Sequence, residues 1–321
     1  MKTENQKSIP LFGVRTILII MLSLPISGLM IGCTEDEIPN NNQDSDAIEE
    51  GSWVTYSPYK WTHDGKPFHS VYSTVFSDGA RDEMKEKAGI FTDAKFLEIL
   101  ELFNYDIHSD LRYPPGRNKI DVYLNTEHER NIAAAYWGSI FITVRTPELD
   151  TTLYEYLFKH ELTHTFEFLI EGTVNLGTDV WFKEGIAIFG GGGRGYIKDV
   201  DDLEHWISLN AESPNCGNPI TIHAWEDFPE GSDITGYYTV FEVVMLYILD
   251  PEGMGKSLQD VLNLFYELRN GESFEDAFHN NFGITVGVLE DEIFERLRTF
   301  LNNNPLENNE SSFPIHKIDI F

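Results

Sequence analysis

The fold is decided by residues 152–171, which read TLYEYLFKHELTHTFEFLIE. Apolar and histidine residues recur here three and four positions apart, which is the spacing of one helical face. Thr152 and Glu155 have the form of a capping box. In this motif the threonine side chain accepts a hydrogen bond from the backbone N–H of the glutamate, and the glutamate side chain accepts one from the backbone N–H of the threonine. Gly172 stands where such a helix ends. The sequence therefore predicts a helix from about Thr152 to Glu171.

Two histidines in this helix carry the strongest chemical signal. His160 and His164 are four residues apart, so they lie on one face and can present both imidazoles to one metal ion. Their stripe is continued by apolar residues, namely Leu153, Leu157 and Phe168. We expect the stripe, and both histidines with it, to face the core. An ordinary pair of polar residues is the alternative, but buried imidazoles need a partner, and a metal ion supplies one.

Catalytic zinc takes three protein ligands and leaves a fourth position open, so a third donor is expected. A histidine six residues beyond His164, with glycine between, is ruled out because Glu167 and Ile170 occupy those positions. Glu184, in the predicted helix that carries WFKEGIA, is the expected third ligand. Asp179 is the alternative, although it stands where that helix needs a cap.

The two motifs together resemble those of the gluzincin metallopeptidases. In that family an H-E-x-x-H helix is completed by a glutamate in a W-x-x-E-G-x-A helix. Here HELTH is followed by WFKEGIA, and nineteen residues lie between His164 and Glu184. That spacing is one residue longer than the aminopeptidase branch commonly shows, and no G-A-M-E-N-type signature is present. Bacterial collagenases and peptidase-MA-like domains are nearer. The resemblance implies a zincin-type α+β fold and a zinc endopeptidase.

The resemblance also implies roles for residues around the metal. Glu161 would be the general base, because it lies about 100° round the helix from His160 and can take a proton without coordinating. Tyr237 or Tyr238 would stabilise the oxyanion. The strand from Ser139 to Val144 resembles the edge strand that pairs with an extended polypeptide substrate. An inactive, peptidase-like surface binding lipoprotein is the second function class, and the retention of Glu161 favours catalysis over it.

The remaining pattern predicts an α+β class with two subdomains. Strand-like and helical spacing alternate through an amino-terminal subdomain of about residues 53–173, and helical spacing prevails over about residues 174–302. The predicted elements are a strand at 68–76, a helix at 81–103, strands at 120–124 and 140–144, helices at 152–171 and 180–189, and a helical region after Gly236 with stops at Gly253, Gly271 and Gly283.

The amino terminus has the form of a secretory signal. Lys2, Lys7 and Arg15 precede a short apolar run, and the sequence Met30-Ile31-Gly32-Cys33 resembles a bacterial lipobox. We expect residues 1–32 to be removed and Cys33 to carry the lipid that anchors the protein to a membrane. Residues 33–52 are polar and acidic and predict a flexible tether. The protein would then face outward from a bacterial membrane, most naturally the outer one.

Charge and cysteine content exclude several other classes. The formal net charge is −30, and removal of residues 1–32 leaves about −32, so nucleic acid is not an expected partner. Only Cys216 would remain beside the lipidated cysteine, which excludes a disulfide scaffold. The glycine run at 190–193 lacks the Lys-Ser/Thr ending of a phosphate loop and predicts a loop near the cleft. No feature indicates an obligate protein partner, and residues 303–321 are a predicted tail.

Overall fold

The computed structural model describes residues 53–56, 59–62, 66–126, 133–146, 148–173, 177–193, 234–251 and 253–293. The predicted signal segment, Cys33, the tether, Cys216 and the carboxy-terminal tail lie outside these ranges. Within them no helix combines the length and the apolar character that crossing a membrane requires.

A five-stranded mixed sheet forms the centre of the fold. The strands are β1 (Trp53–Tyr56), β2 (Tyr59–Thr62), β3 (Phe68–His69), β4 (Ser73–Asp78), β5 (Ile120–Asn125), β6 (Ala133–Tyr136) and β7 (Ser139–Thr143). The sheet order is β3-β4-β5-β7-β6, with β4, β5 and β7 parallel and the outer strands β3 and β6 antiparallel to their neighbours. Strands β1 and β2 form a separate antiparallel pair.

Successive side chains of β5 point to opposite faces of the sheet and enter different hydrophobic clusters. Ile120, Val122 and Leu124 are buried in the main core with the helices, whereas Tyr123 belongs to a second cluster in which its ring stacks on Phe141 at a centroid distance of 4.7 Å. This period of two is the one that a pleated strand imposes. Both faces of the central strands are covered, which explains why β5 is buried along its whole length.

Helix α1 (Asp82–Leu102) connects β4 to the parallel strand β5 and packs against β3, β4 and the next helix. Its buried Asp93 accepts hydrogen bonds from the Ser70 and Ser73 hydroxyls and from the backbone N–H groups of Val71 and Tyr72. The carboxylate thereby satisfies the buried polar groups of the turn between β3 and β4. The predicted strand at 68–76 is therefore two short strands separated by this turn.

Helix α2 (Thr151–Glu171) follows the sheet and packs against β6 and β7. Its cap differs from the predicted one: the side chain of Asp150 accepts from the N–H groups of Thr152 and Leu153, so Thr152 lies inside the helix and no Thr152–Glu155 capping box starts it. Gly172 ends the helix in the left-handed conformation at φ 79°, as predicted.

The described part of the remaining chain is helical, as predicted. The helices are α3 (Val180–Gly190), α4 (Ile234–Leu249), α5 (Leu258–Arg269) and α6 (Phe274–Phe282), and residues 286–293 are also helical. Helix α3 packs between α2 and α4, and α5 packs against α2 and α6. The α+β class is confirmed, and α2 lies between the sheet on one side and these helices on the other.

One predicted position in the sheet is wrong. The strand at 139–143 is not the edge: β7 lies between β5 and β6, and among the described strands the edge on this side is Ala133–Tyr136. The two strands form a hairpin whose turn contains Gly138 at φ 72°. The sequence AAAYWG contains no β-branched residue, which is why strand propensity missed β6.

Candidate metal centre

The histidines of α2 lie in the half of the helix that is buried on all sides. His160 is 0% and His164 3% exposed, and their rings meet edge to face with centroids 4.9 Å apart. Every residue from His160 to Glu171 is buried, and the helix contacts the sheet, α3 and α5, so a single amphipathic stripe does not describe it. Leu153, which was predicted to belong to that stripe, is 50% exposed.

Helix α3 brings Glu184 to the same place. Trp181 and Phe182 are fully buried and pack on Phe274 and Phe278 of α6, which holds the first turn of α3 against the helical half. Glu184, one turn later, is 2% exposed. The aromatic residues therefore fix the helix that carries the carboxylate.

Close approach of α3 to α2 depends on a glycine. A Cβ atom at Gly190 would lie 2.2 Å from Oγ1 and 2.8 Å from Cγ2 of Thr163, which is the neighbour of His164. The Thr163 hydroxyl donates to the carbonyl of Lys159 within α2 and so is held in place. The first glycine of the 190–193 run is thus a contact point between the two helices, and the run was predicted only as a loop near the cleft.

The three predicted ligands converge. His160 Nε2 lies 3.4 Å from Glu184 Oε2, and His164 Nε2 lies 3.5 Å from Glu184 Oε1. Ligand atoms from the three residues all lie within 4.8 Å of one another. The three residues could therefore hold a metal ion, and each imidazole faces a different oxygen of one carboxylate.

The distances between the ligand atoms suit a small cation with tetrahedral coordination. Two ligands at roughly 2.1 Å from a zinc ion, at a tetrahedral angle, are about 3.4 Å apart, which is close to the two nitrogen–oxygen distances above. Two imidazole nitrogens and one carboxylate also form the donor set of catalytic zinc sites that keep a fourth position for water. The residues present thus suit such an ion in both chemistry and spacing.

Glu161 adds a second carboxylate beside this triad. It is fully buried, and neither of its oxygens has a hydrogen-bond partner among the described residues. Buried carboxylates are ordinarily hydrogen-bonded or paired with a cation. Such an unsatisfied group next to three potential ligands indicates that the site is built for an additional polar or charged species.

The electrostatics of the two carboxyl groups differ. Burial raises the pKa of Glu161 to about 8, with the charge of His164 opposing the rise and that of Glu184 adding to it. For Glu184, burial also acts to raise the pKa, but His164 and His160 together hold it well below its usual range. Glu184 is therefore ionised beside the imidazoles, whereas Glu161 ionises readily only if a further positive charge lies close by.

Asp179, the alternative third ligand, is placed elsewhere. It occupies the N-cap position of α3, but its side chain makes no capping hydrogen bond. Its Oδ2 instead accepts from the indole Nε1–H of Trp181 at 3.1 Å. It is not part of the metal-ligand group formed by His160, His164 and Glu184.

The two tyrosines remain predictions. Tyr238 is 2% exposed and lies in α4 within the main core, 6.2 Å from Phe241 between ring centroids. Helix α4 packs on α3, the helix that carries Glu184. The side chain of Tyr237 lies outside the described residues.

Comparison with known proteins adds no further assignment. No protein-family model matches the chain, and the search of curated proteins found no similar sequence. The assignment of a function therefore rests on the residues of the site.

Sequence reasoning missed one polar residue of this centre. Glu167 lies one turn beyond His164 and is 1% exposed, and its Oε2 is 3.8 Å from His164 Nδ1. It was considered only as the residue that excludes a glycine-containing histidine motif. Its position three residues after His164, a predicted ligand, could have indicated that the two side chains are neighbours on the helix.

Proposed function

We propose that this protein is a zinc-dependent peptidase of the gluzincin type. The single observation that carries the proposal is the convergence of His160, His164 and Glu184 beside the buried, unsatisfied carboxylate of Glu161. A structural metal site has no need of a fourth, non-coordinating acid, whereas hydrolysis needs a base.

His160, His164 and Glu184 would hold the zinc ion. Such an ion would polarise the substrate carbonyl as a Lewis acid. It would also lower the pKa of the attacking water to about 7, so that the water can lose a proton at neutral pH. Its positive charge also favours the ionised form of a neighbouring carboxylate, which opposes the effect of burial on Glu161.

Glu161 is the general base in this proposal. It accepts a proton from the attacking water and returns it to the nitrogen of the leaving amine, so that one residue serves both halves of the hydrolysis. Tyr238 or Tyr237, in the helix that packs on α3, is proposed to donate a hydrogen bond to the oxyanion. The reaction is hydrolysis of a peptide bond in a polypeptide.

The sequence near the amino terminus supports a proposal for where in the cell the protein acts. The lipobox-like Met30–Cys33 sequence supports a lipid-anchored protein on the extracytoplasmic side of a bacterial membrane, and the acidic residues after Cys33 support outward exposure. Polypeptides that reach this face are the proposed substrates.

The proposal is tested by zinc content and casein proteolysis of the mature protein and of Glu161→Gln. This substitution preserves size and all three ligands but removes the base. We expect one zinc per chain in both proteins and a loss of activity of at least about 100-fold in the variant.

Glu155→Gln is a matched control, because Glu155 lies on the same helix but on its surface, where it pairs with Lys95. It should retain full activity. Zinc in the parent without activity on casein or varied peptides would replace the peptidase proposal by that of an inactive binding protein. Absence of stoichiometric zinc would overturn both the metal site and the mechanism.

A further inference from the structure

The two nitrogens of His164 face different carboxylates. Nε2 lies 3.5 Å from Glu184 Oε1, and Nδ1 lies 3.8 Å from Glu167 Oε2. All three side chains are buried, with 3% of the His164 side chain, 2% of Glu184 and 1% of Glu167 exposed. One imidazole is thus placed between a proposed ligand and a carboxylate that the proposed mechanism does not use.

Glu167 is costly to bury unless it has a partner. Neither of its oxygens makes a hydrogen bond with any group in the part of the chain that the structure describes. A carboxylate in apolar surroundings loses its hydration and must recover that free energy from a donor or a positive charge. Its Oε2 lies 3.8 Å from Nδ1 of the His164 ring.

The chemistry of a histidine ligand supplies the missing donor. An imidazole that binds a metal through Nε2 carries its proton on Nδ1, and that N–H needs an acceptor when it is buried. A carboxylate in this position fixes the tautomer, orients the ring and makes the ligating nitrogen more basic.

The backbone of α2 holds Glu167 beside His164. The two residues are three positions apart on the same uninterrupted helix, so their side chains stay neighbours while the carboxylate can still rotate. The ring of Phe168 lies beside that of His164, with the planes inclined by only 15° and the centroids 6.3 Å apart. Both neighbours restrict the imidazole to the orientation in which Nε2 faces Glu184.

We infer that Glu167 is the positioning residue of the metal centre, whose carboxylate accepts the Nδ1–H of His164 and so presents Nε2 to the ion. This inference rests on the metal-binding part of the proposed function and is independent of whether the protein cleaves peptides. It requires the 3.8 Å separation to shorten to hydrogen-bonding distance, about 2.7–2.9 Å, in the zinc-loaded protein.

Zinc affinity tests the inference. The dissociation constant for Zn²⁺ is measured by competition with a chromophoric chelator for the parent, Glu167→Ala, Glu167→Gln and Glu171→Gln. We expect Glu167→Ala to bind zinc about 10–100-fold more weakly. Glu167→Gln should lose less, because its amide oxygen still accepts a hydrogen bond. Glu171 is one turn further along α2, equally buried and bonded to Thr178, so Glu171→Gln controls for the loss of a buried carboxylate and should keep parental affinity.

Histidine nitrogen NMR of the zinc-loaded proteins separates positioning from mere packing. In the parent, the Nδ1–H of His164 should give a slowly exchanging, strongly downfield proton signal. In Glu167→Ala that signal should move upfield or disappear by exchange. A purely structural role would lower the Tm of the variants while leaving both the signal and the zinc affinity of the folded protein unchanged.

The outcomes distinguish this inference from the proposed function. If the parent binds zinc and cleaves casein but Glu167→Ala binds zinc as tightly as the parent, the positioning role is wrong and the peptidase proposal stands. If the parent binds zinc with the predicted Glu167 dependence but has no activity, the positioning role stands and the peptidase proposal fails. A parent that binds no zinc overturns both.

Discussion

At the residue scale, the site combines carboxyl groups whose surroundings act on them in opposite directions. The imidazoles stabilise the charge of Glu184, and burial acts against the charge of Glu161. The same competition occurs away from the site at Asp121, on the second face of the sheet. Burial raises the pKa of Asp121 to about 6, although Arg117 lies 3.0 Å away and opposes the shift.

Asp121 gives a pH-dependent prediction. Because its folded-state pKa is raised above the unfolded value of about 4, its favourable contribution is complete below pH 4 and is lost as the pH rises through about 6. The free energy of unfolding of the parent should therefore fall, relative to Asp121→Asn, by up to about 3 kcal/mol between pH 4 and pH 7. Urea unfolding of both proteins across this range measures the difference.

A substitution of the exposed Asp82, whose side chain is 95% exposed, controls for removal of a surface carboxylate. Asp82→Asn should give nearly the same pH profile as the parent. A constant difference between Asp121→Asn and the parent from pH 4 to pH 7 would contradict the prediction.

At the element scale, helix α2 carries two of the three proposed ligands, and its start is set by Asp150. The Asp150 carboxylate accepts from the N–H groups of Thr152 and Leu153, at 3.0 and 3.2 Å, which would otherwise lack partners in the first turn. A negative charge at this end also interacts favourably with the helix dipole. The ligands of the metal centre thus stand on a helix with a defined first residue.

We expect Asp150→Ala to reduce the free energy of unfolding by about 1 kcal/mol, because it removes this cap. Thr152→Ala, at the position that the capping-box pattern predicted, should change stability by less, since Thr152 is inside the helix. Chemical denaturation of the two variants compares them directly. A larger loss in Thr152→Ala than in Asp150→Ala would restore the original capping assignment.

The contact between α2 and α3 also contributes to the stability of the fold and to the geometry of the proposed metal centre. Gly190→Ala would place a methyl group 2.2 Å from Oγ1 of Thr163 and should destabilise the protein by about 1–3 kcal/mol through overpacking. It should also weaken zinc binding, because α3 carries Glu184 and α2 carries both histidines. Denaturation and zinc titration measure the two effects.

Rescue by a second substitution makes this prediction specific. Thr163→Ala removes the two closest side-chain atoms, Oγ1 and Cγ2, and leaves Cβ at 3.0 Å. The double variant should therefore be more stable than the sum of the single losses predicts. Additive losses would show that Gly190→Ala acts through something other than this contact.

At the scale of the whole molecule, the proposed centre joins the two halves of the chain. His160 and His164 belong to the helix that packs on the sheet, and Glu184 belongs to the first helix of the helical half. A metal held by both halves binds the folded state and not the unfolded chain. Such binding increases stability by mass action.

Zinc removal should therefore lower the Tm. At a free zinc concentration 100 times the dissociation constant, binding stabilises the folded state by about 2.7 kcal/mol, which corresponds to a shift of about 4–5 °C for a chain of this size. Differential scanning calorimetry with zinc and with a chelator gives the shift. Glu161→Gln should keep it, and Glu184→Gln should lose most of it. An equal shift in Glu184→Gln and the parent would exclude Glu184 as a ligand.

Sequence alone determined the local features that depend on neighbours along the chain. The i, i+4 spacing put His160 and His164 on one side of α2, Gly172 ended that helix, and the apolar pattern set the helices of the second half. The motif also pointed to Glu184 before any distance was known. These features follow from helical periodicity and backbone conformation, which a short stretch of sequence specifies.

Contacts between residues far apart in the chain could be read from the tertiary structure alone. It brought Glu184 to 3.4 and 3.5 Å from the two imidazoles, put β6 outside β7, exposed Leu153 and placed Glu167 against His164. The physical reason is that strand order, helix crossing and burial depend on long-range packing. The same spacing of residues is compatible with many such arrangements, and only the contacts between elements select one.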